Sequence, residues 1–255
     1  MIVARDLTVI RGGNAVVSQA SCAVRPGQLT AICGPNGAGK STLLTALSGL
    51  STPSTGEITL YGRPFTQVHP RERARLVGFL PQQAELAWDV SVRTLVGLGR
   101  LPWRAVPGRP VRARLEADHA AIERAISDMQ LDALADRPVS QLSGGERARA
   151  LMARVLAGEP CYILADEPFA SLDIGHAGDL ASLMRMLALR GLGLAVVMHD
   201  LALAMNHADR VIVMNNGTIA ADAPAHEALS EEIIARVWNA KVEWLGEPGS
   251  RALAV

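Results

Sequence analysis

Eight consecutive residues offer the clearest chemistry: Gly34, Pro35, Asn36, Gly37, Ala38, Gly39, Lys40 and Ser41 fit the spacing GxxxxGK followed by serine. Glycines at those places let backbone N–H groups converge on phosphate oxygens without side-chain clashes, and a helix starting just after them adds positive potential at its N-terminus. Lys40 is then the cation for the β- and γ-phosphates, Ser41 a ligand for Mg2+, and Thr42 a further nucleotide contact. The chain has two lysines only, Lys40 and Lys241, and one of them falls in this loop.

A second group is acidic. Tyr162, Ile163, Leu164 and Ala165 form an apolar run that ends in Asp166 and Glu167. A strand there sets Asp166 at the sheet edge, where a Mg2+ shell can form, and turns Glu167 toward the γ-phosphate. A carboxylate so placed can orient and deprotonate an attacking water, which separates hydrolysis from binding. Two acids at a strand end are commonly only solvated, so the pair takes its meaning from the glycine loop.

These groups need a frame. Residues 2–9, 16–24 and 29–33 are β-rich, residues 34–39 break the pattern, and residues 41–50 have helical character: strand, glycine loop, helix. Residues 57–61 and 77–80 predict two more strands, the second ending just before Pro81, Gln82 and Gln83. From 91 to 137 the β signal stops. Residues 92–100 and 112–129 read as helices around a proline- and glycine-rich link at 101–110, a helical insertion. After Gly144, helices at 146–157, 177–190 and 201–207 alternate with strands at 161–165, 194–198 and 210–214, predicting a mainly parallel α/β sheet. Asn216 and Gly217 read as a hairpin turn into a strand at 218–221, and Ser230 opens a last helix with Glu231 and Glu232 in its first turn.

Composition narrows the field. With 49% hydrophobic residues in 255, the chain can bury one sizeable core. Twenty-five basic residues balance 25 acidic ones, so no net field draws it onto nucleic acid or an anionic membrane. The arginine clusters at 71–75, 109–114 and 147–154 lack interleaved aromatics and read as solvated faces, so nucleic acid is not an expected partner. The longest charge-free apolar stretch read as one element, residues 192–198, is far short of the roughly 20 needed to span a bilayer. The N-terminus lacks a cationic start and long apolar segment, so the chain is expected to stay in the cytoplasm. Cys22, Cys33 and Cys161 show no CxxC spacing and are read as small core hydrophobes.

Leu142, Ser143, Gly144, Gly145 and Glu146 then resemble the signature sequence of ABC ATPases. Ser143 and the glycine amides opening the next helix make an anion site, but such a helix end points away from its own loop. The resemblance implies an α/β P-loop NTPase of the ABC ATPase fold: a mainly parallel sheet core, an N-terminal antiparallel β subdomain and a helical subdomain insert. It sets the core at about residues 1–88 and 158–245, the insert at 89–157 and a short tail at 246–255. It implies ATP and Mg2+ as cofactors and a head-to-tail dimer. Each ATP is gripped by Lys40 of one copy and by Ser143, Gly144 and Gly145 of the other.

Other family positions follow in order. Gln82 resembles the glutamine that contacts Mg2+ and water, with Gln83 the weaker candidate. Ser171, Leu172 and Asp173 resemble the loop that crosses the dimer interface, with Asp173 toward nucleotide, and His199 resembles the switch histidine at the γ-phosphate. Glu167, Gln82 and His199 are the implied catalytic set; Ser41, Gln82 and Asp166 are the implied metal set. The family usually places an aromatic near residues 10–12 to stack on adenine; here stand Ile10, Arg11 and Gly12, and Arg11 is the candidate to stack as a cation. Phe169 stands where many relatives have Thr, and Ala148 where Gln is frequent.

Residues 91–102, reading SVRTLVGLGRLP, look like importers of iron-siderophore, haem and cobalamin. That likeness implies two multi-spanning permease subunits as partners, a substrate-binding protein acting indirectly, and a place on the cytoplasmic face of the inner membrane. A soluble ABC ATPase of iron–sulfur cluster assembly and an importer ATPase for another metal or small nutrient are the alternatives; a P-loop kinase fails on the signature.

Overall fold

A computed structural model describes residues 1–82, 89–104, 111–170 and 172–254. Gln83, Ser171 and most of the link at 101–110 therefore lie outside the described residues. The chain begins with two long antiparallel strands, β1 (Ile2–Arg11) and β2 (Asn14–Val24). β3 (Leu29–Cys33), fully buried, delivers the chain to the glycine loop, and α1 (Lys40–Leu47) leaves it. β4 (Thr55–Leu60) and the short β5 (Arg63–Pro64) complete a four-stranded sheet in the order β2-β1-β4-β5.

Next come α2 (Pro70–Leu76) and β6 (Val77–Leu80). The sequence reading missed α2: its two turns lie in an arginine-rich segment with no buried face, so apolar periodicity is absent. His69 caps it and Pro70 starts it. The insertion follows as α3 (Val92–Gly97), a 3-10 segment over Leu98–Trp103, α4 (Val111–Asp128) and α5 (Gly144–Leu156).

The remainder alternates as expected through β7 (Tyr162–Asp166), α6 (Ile174–Leu189), β8 (Gly193–Val197), α7 (Leu201–His207), β9 (Arg210–Asn215) and β10 (Thr218–Pro224); a single turn that the sequence does not predict, α8 (Ala225–Ala228), precedes the expected α9 (Glu231–Trp238). The last segment is not a bare tail: β11 (Glu243–Leu245) pairs with β12 (Ala252–Ala254). Among the described residues no helix is long and apolar enough to cross a membrane.

The central sheet has six strands in the order β10-β9-β3-β8-β7-β6, with every pair parallel except β9 with β10. Its strands alternate between two cores because successive side chains face opposite ways. Leu29, Ala31, Ile163, Ala165, Leu194 and Val196 join the core shared with α3 to α6, whereas Ile32, Leu164, Ala195 and Val197 join the core shared with α1 and the antiparallel sheet. α1 is thus held between two sheets, and the loop preceding it is fixed from both sides.

Cys22 and Cys33 are buried, and desolvation pushes each thiol up to about 12. Cys161 departs from the sequence reading: it is exposed, one residue ahead of β7, where the chain is still crossing the surface from α5.

Arg100 anchors the helical insertion. It is 3% exposed and donates to Asp118 (2.7 Å), Glu159 (2.7 Å) and the carbonyl of Ala157 (2.8 Å). The guanidinium groups of Arg100 and Arg75 both stack on the Trp103 ring, each 5.0 Å from its centroid. Exchanging Arg100 for Met leaves Asp118 without its cation, while Glu159 keeps Arg124, so stability is expected to fall by about 3 kcal/mol. The shift in the midpoint of urea unfolding measures it.

Candidate active site

Conformation explains the glycines of the loop. Gly39 caps α1 at φ 94°, and a Cβ there would come within 2.5 Å of the Val16 carbonyl oxygen. Gly34 has φ 151°, and a Cβ would lie 2.3 Å from the Met214 carbonyl oxygen. The loop is therefore pressed between β2 and the end of β9, with no room for any side chain at either place. The turn after β9 helps to hold it: Gly217 N donates to the Ala38 carbonyl (3.2 Å), and Asn216 and Gly217 have the positive φ of a hairpin turn. The Asn-Gly pair predicts that turn but not its contact with the loop.

Lys40 is buried and donates to the carbonyls of Gly34 (2.8 Å) and Pro35 (2.9 Å), folding its ammonium back over the loop. Desolvation pushes its pKa below the ordinary lysine range, while Glu167, Cys33 and Asp166 pull the other way. Ser41 Oγ donates to Asp166 Oδ1 at 2.9 Å, bringing the start of α1 to the end of β7. Burial holds the Asp166 carboxyl above the usual range, with the Ser41 hydrogen bond opposing. A serine hydroxyl and a carboxylate side by side in a desolvated corner are the hard oxygen donors that suit Mg2+.

Glu167 is the hub of the second group. Its Oε2 accepts from Gln82 Nε2 at 2.6 Å, and its Oε1 lies 2.5 Å from His199 Nε2. Three adjacent strands supply these groups: Gln82 follows β6, Glu167 follows β7 and His199 follows β8. Glu167 itself sits at φ 50°, just before Pro168. A left-handed glutamate costs roughly 1–2 kcal/mol, and such strain concentrates where geometry serves function. Gln82 thus meets Glu167 through its amide nitrogen, and its amide oxygen is the atom left for a metal or water.

The signature turn is built separately. Ser143 caps α5 in a reciprocal box: Glu146 N donates to Ser143 Oγ (3.3 Å) and Ser143 N donates to Glu146 Oε2 (2.8 Å). Because Ser143 Oγ is used there as an acceptor, its own proton remains available to donate. Gly144 begins the helix and Gly145 is buried beside it. Asp173 caps α6, accepting from His176 N at 2.8 Å, and its other oxygen lies 2.8 Å from His176 Nδ1. Arg11 is exposed at the end of β1, beside the glycine turn that leads into β2, and its side chain makes no hydrogen bond or ion pair among the described residues.

The structure thus brings Gly34, Pro35, Asn36, Gly37, Ala38, Gly39, Lys40, Ser41 and Thr42 together with Asp166 and gathers Gln82 and His199 on Glu167. It sets Ser143, Gly144, Gly145 and Asp173 at two other helix ends.

Residues 17–170 match the family described as ABC transporter. The chain belongs to that family. A Hemin import ATP-binding protein HmuV of Rhodococcus jostii (strain RHA1) is 42% identical over 252 residues, covering 99% of this chain and 84% of that protein. Among solved structures, an inward-facing transporter described as of the metal-chelate ABC type superposes with TM-score 0.82 at 24% identity, over 99% of this chain and 95% of that one. A dimeric bacterial ABC transporter cassette, MJ0796, gives TM-score 0.73 at 25% identity, over 88% and 99%. As a member of this family the chain is an ATP-binding, ATP-hydrolysing subunit with the ABC ATPase fold.

Proposed function

We propose that this ABC ATPase powers import of haem or a related iron chelate, working as a pair of copies beneath two permease subunits on the cytoplasmic face of the membrane. The observation that carries the ATPase half is the convergence of Gln82 and His199 on the two oxygens of Glu167, beside Ser41 and Asp166. The cargo is supported by the length and level of the likeness to the Rhodococcus haemin protein.

In this reading Lys40 exchanges its two loop carbonyls for the β- and γ-phosphates of ATP. Ser41, Asp166 and the amide oxygen of Gln82 would hold Mg2+, which when bound would neutralise phosphate charge. Glu167 takes the proton of a water whose oxygen bonds to the γ-phosphorus as the bond to ADP breaks. His199, released from Glu167, donates to the γ-phosphate. Ser143 and the amides of Gly144 and Gly145 grip the same phosphate from the second copy, and Arg11 stacks on adenine. Asp173 lies at the interface. The functional units are those the family likeness implied: a core of about residues 1–88 and 158–245 around a helical insert at 89–157. A substrate-binding protein acts on the permease, not on this chain.

The test is ATP hydrolysis by the subunit reconstituted with its permease in lipid vesicles. Haem-loaded binding protein is expected to stimulate it severalfold over the same protein unloaded. Stimulation only by a ferric siderophore or cobalamin complex would reassign the cargo. A subunit that never fractionates with a multi-spanning partner would instead favour the soluble iron–sulfur assembly role.

A further inference from the structure

A contact outside both catalytic groups joins the signature turn to Asp173. The ring of His176 lies directly under the signature turn: a Cβ added to Gly145 would come within 2.5 Å of His176 Cδ2 and 2.8 Å of its Cγ. The same ring reaches Asp173 Oδ2 through Nδ1 (2.8 Å), while the His176 backbone N–H donates to Asp173 Oδ1 (2.8 Å). Both oxygens of Asp173 are thereby held by one residue, and these bonds keep its carboxyl below the usual range. Between Glu167 and Asp173, Ala170 N donates to the Glu167 carbonyl (3.1 Å) and Leu172 N to that of Phe169 (3.1 Å). Phe169 itself packs on the core.

The two ends of this linkage serve different ATP molecules. Under the head-to-tail reading above, on which this inference rests, Gly145 faces the nucleotide of the partner copy and Glu167 hydrolyses the chain's own. We infer that His176 is a positioning residue that ties the signature turn to the Glu167 segment, so that seating the partner's ATP on Gly145 sets the carboxylate at the home site. It touches no substrate. Its side chain is 46% exposed, and its bond to the Asp173 carboxylate would be worth little in water, but closure of two copies over α5 and α6 would exclude solvent and strengthen it.

Three properties make the assignment specific. Imidazole supplies a donor at Nδ1 and a flat carbon edge at Cδ2 at the same time, one for Asp173 and one for the glycine. Gly145 is buried and has no side chain, so the ring fits against backbone, and motion of the turn is felt without slack. Asparagine places its amide atoms close to the Nδ1 and Cδ2 positions, so it preserves both contacts, whereas alanine removes both.

The experiment compares His176→Ala and His176→Asn in the full transporter with the parent protein, reading kcat and KM for ATP, and ATP binding to the isolated subunit. His176→Ala is expected to lower kcat about tenfold, the scale of one lost charge-assisted contact, with ATP binding by the isolated subunit unchanged. His176→Asn should recover most of that loss. The inference is overturned if His176→Ala keeps more than about half of kcat, or if His176→Asn is as slow as His176→Ala, since one ordinary hydrogen bond is the smallest effect claimed. Both substitutions are also made in a Glu167→Gln background and ATP-dependent dimerisation is followed by size exclusion. If Glu167→Gln alone never dimerises with ATP, the head-to-tail reading fails; if it dimerises and His176→Ala turns over normally, only the role of His176 fails.

Discussion

Glu167→Gln is expected to bind ATP as the parent does, to stay dimeric while ATP is present, and to lose about 10²–10⁴-fold in kcat, the usual contribution of a positioned general base. The amide keeps the length and shape of the carboxylate and can still accept from Gln82 Nε2, so the three strand ends remain assembled. It cannot take a proton from water. Nor can it hold His199 with the same charge-assisted bond, so His199 is freer to reach the γ-phosphate and the closed state should persist longer. Steady-state phosphate release measures the first effect and size exclusion with and without ATP the second. Undiminished turnover would remove Glu167 from the role of base and leave Gln82 and His199 gathered around it without a purpose in hydrolysis.

Ser143→Arg attacks the opposite wall. The substitution removes the side-chain half of the capping box, which costs about 1 kcal/mol of helix stability and should leave the fold intact. Its larger effect is at the interface, where a guanidinium on a long stem replaces a small donor and blocks close approach of a second copy. Loss of a preorganised donor to a developing phosphate charge is worth roughly 10²–10³ in rate, and steric exclusion adds to it. Hydrolysis is therefore expected to fall at least about a hundredfold, while ATP affinity of the isolated subunit is retained because the loop around Lys40 is untouched. Equilibrium binding of a fluorescent ATP analogue, beside the ATPase rate of the complex, separates the two. Full-speed hydrolysis by Ser143→Arg would mean that each copy completes its own site.

The two expected losses are of similar size but come from different molecules of the dimer. A complex carrying one Glu167→Gln copy and one Ser143→Arg copy places both lesions either in one site or in opposite sites, depending on how the copies meet. Head-to-tail pairing puts the Gln and the Arg at the same nucleotide, because the signature of one copy serves the seat of the other. One site then remains unaltered.

Much of this was legible in the amino-acid order because it is local. Gly34 to Ser41 carry their own conformation, and a strand before and a helix after are enough to identify them. The Ser143 to Glu146 cap, the Asn216-Gly217 turn and the apolar runs of β3, β7 and β8 are likewise short-range. Two local features escaped: α2, whose charged turns show no apolar face, and the exposure of Cys161, whose apolar neighbours suggested a strand that starts one residue later. The pairing of β11 with β12 was also invisible, because strands of three residues carry almost no periodic signal.

What the sequence alone determined is therefore a set of pieces: a phosphate loop, an acidic strand end, a serine-glycine helix start, and a family likeness that gives them roles. The tertiary structure decided how they meet. Ser41 and Asp166 are 125 residues apart, Gln82 and Glu167 are 85 apart, and Gly145 rests on His176 from a different helix. Those meetings follow from the strand order β10-β9-β3-β8-β7-β6, which is set by how two cores fill on either face of the sheet. No local propensity encodes that order, since a parallel strand buried on both faces reads the same whichever neighbour it has.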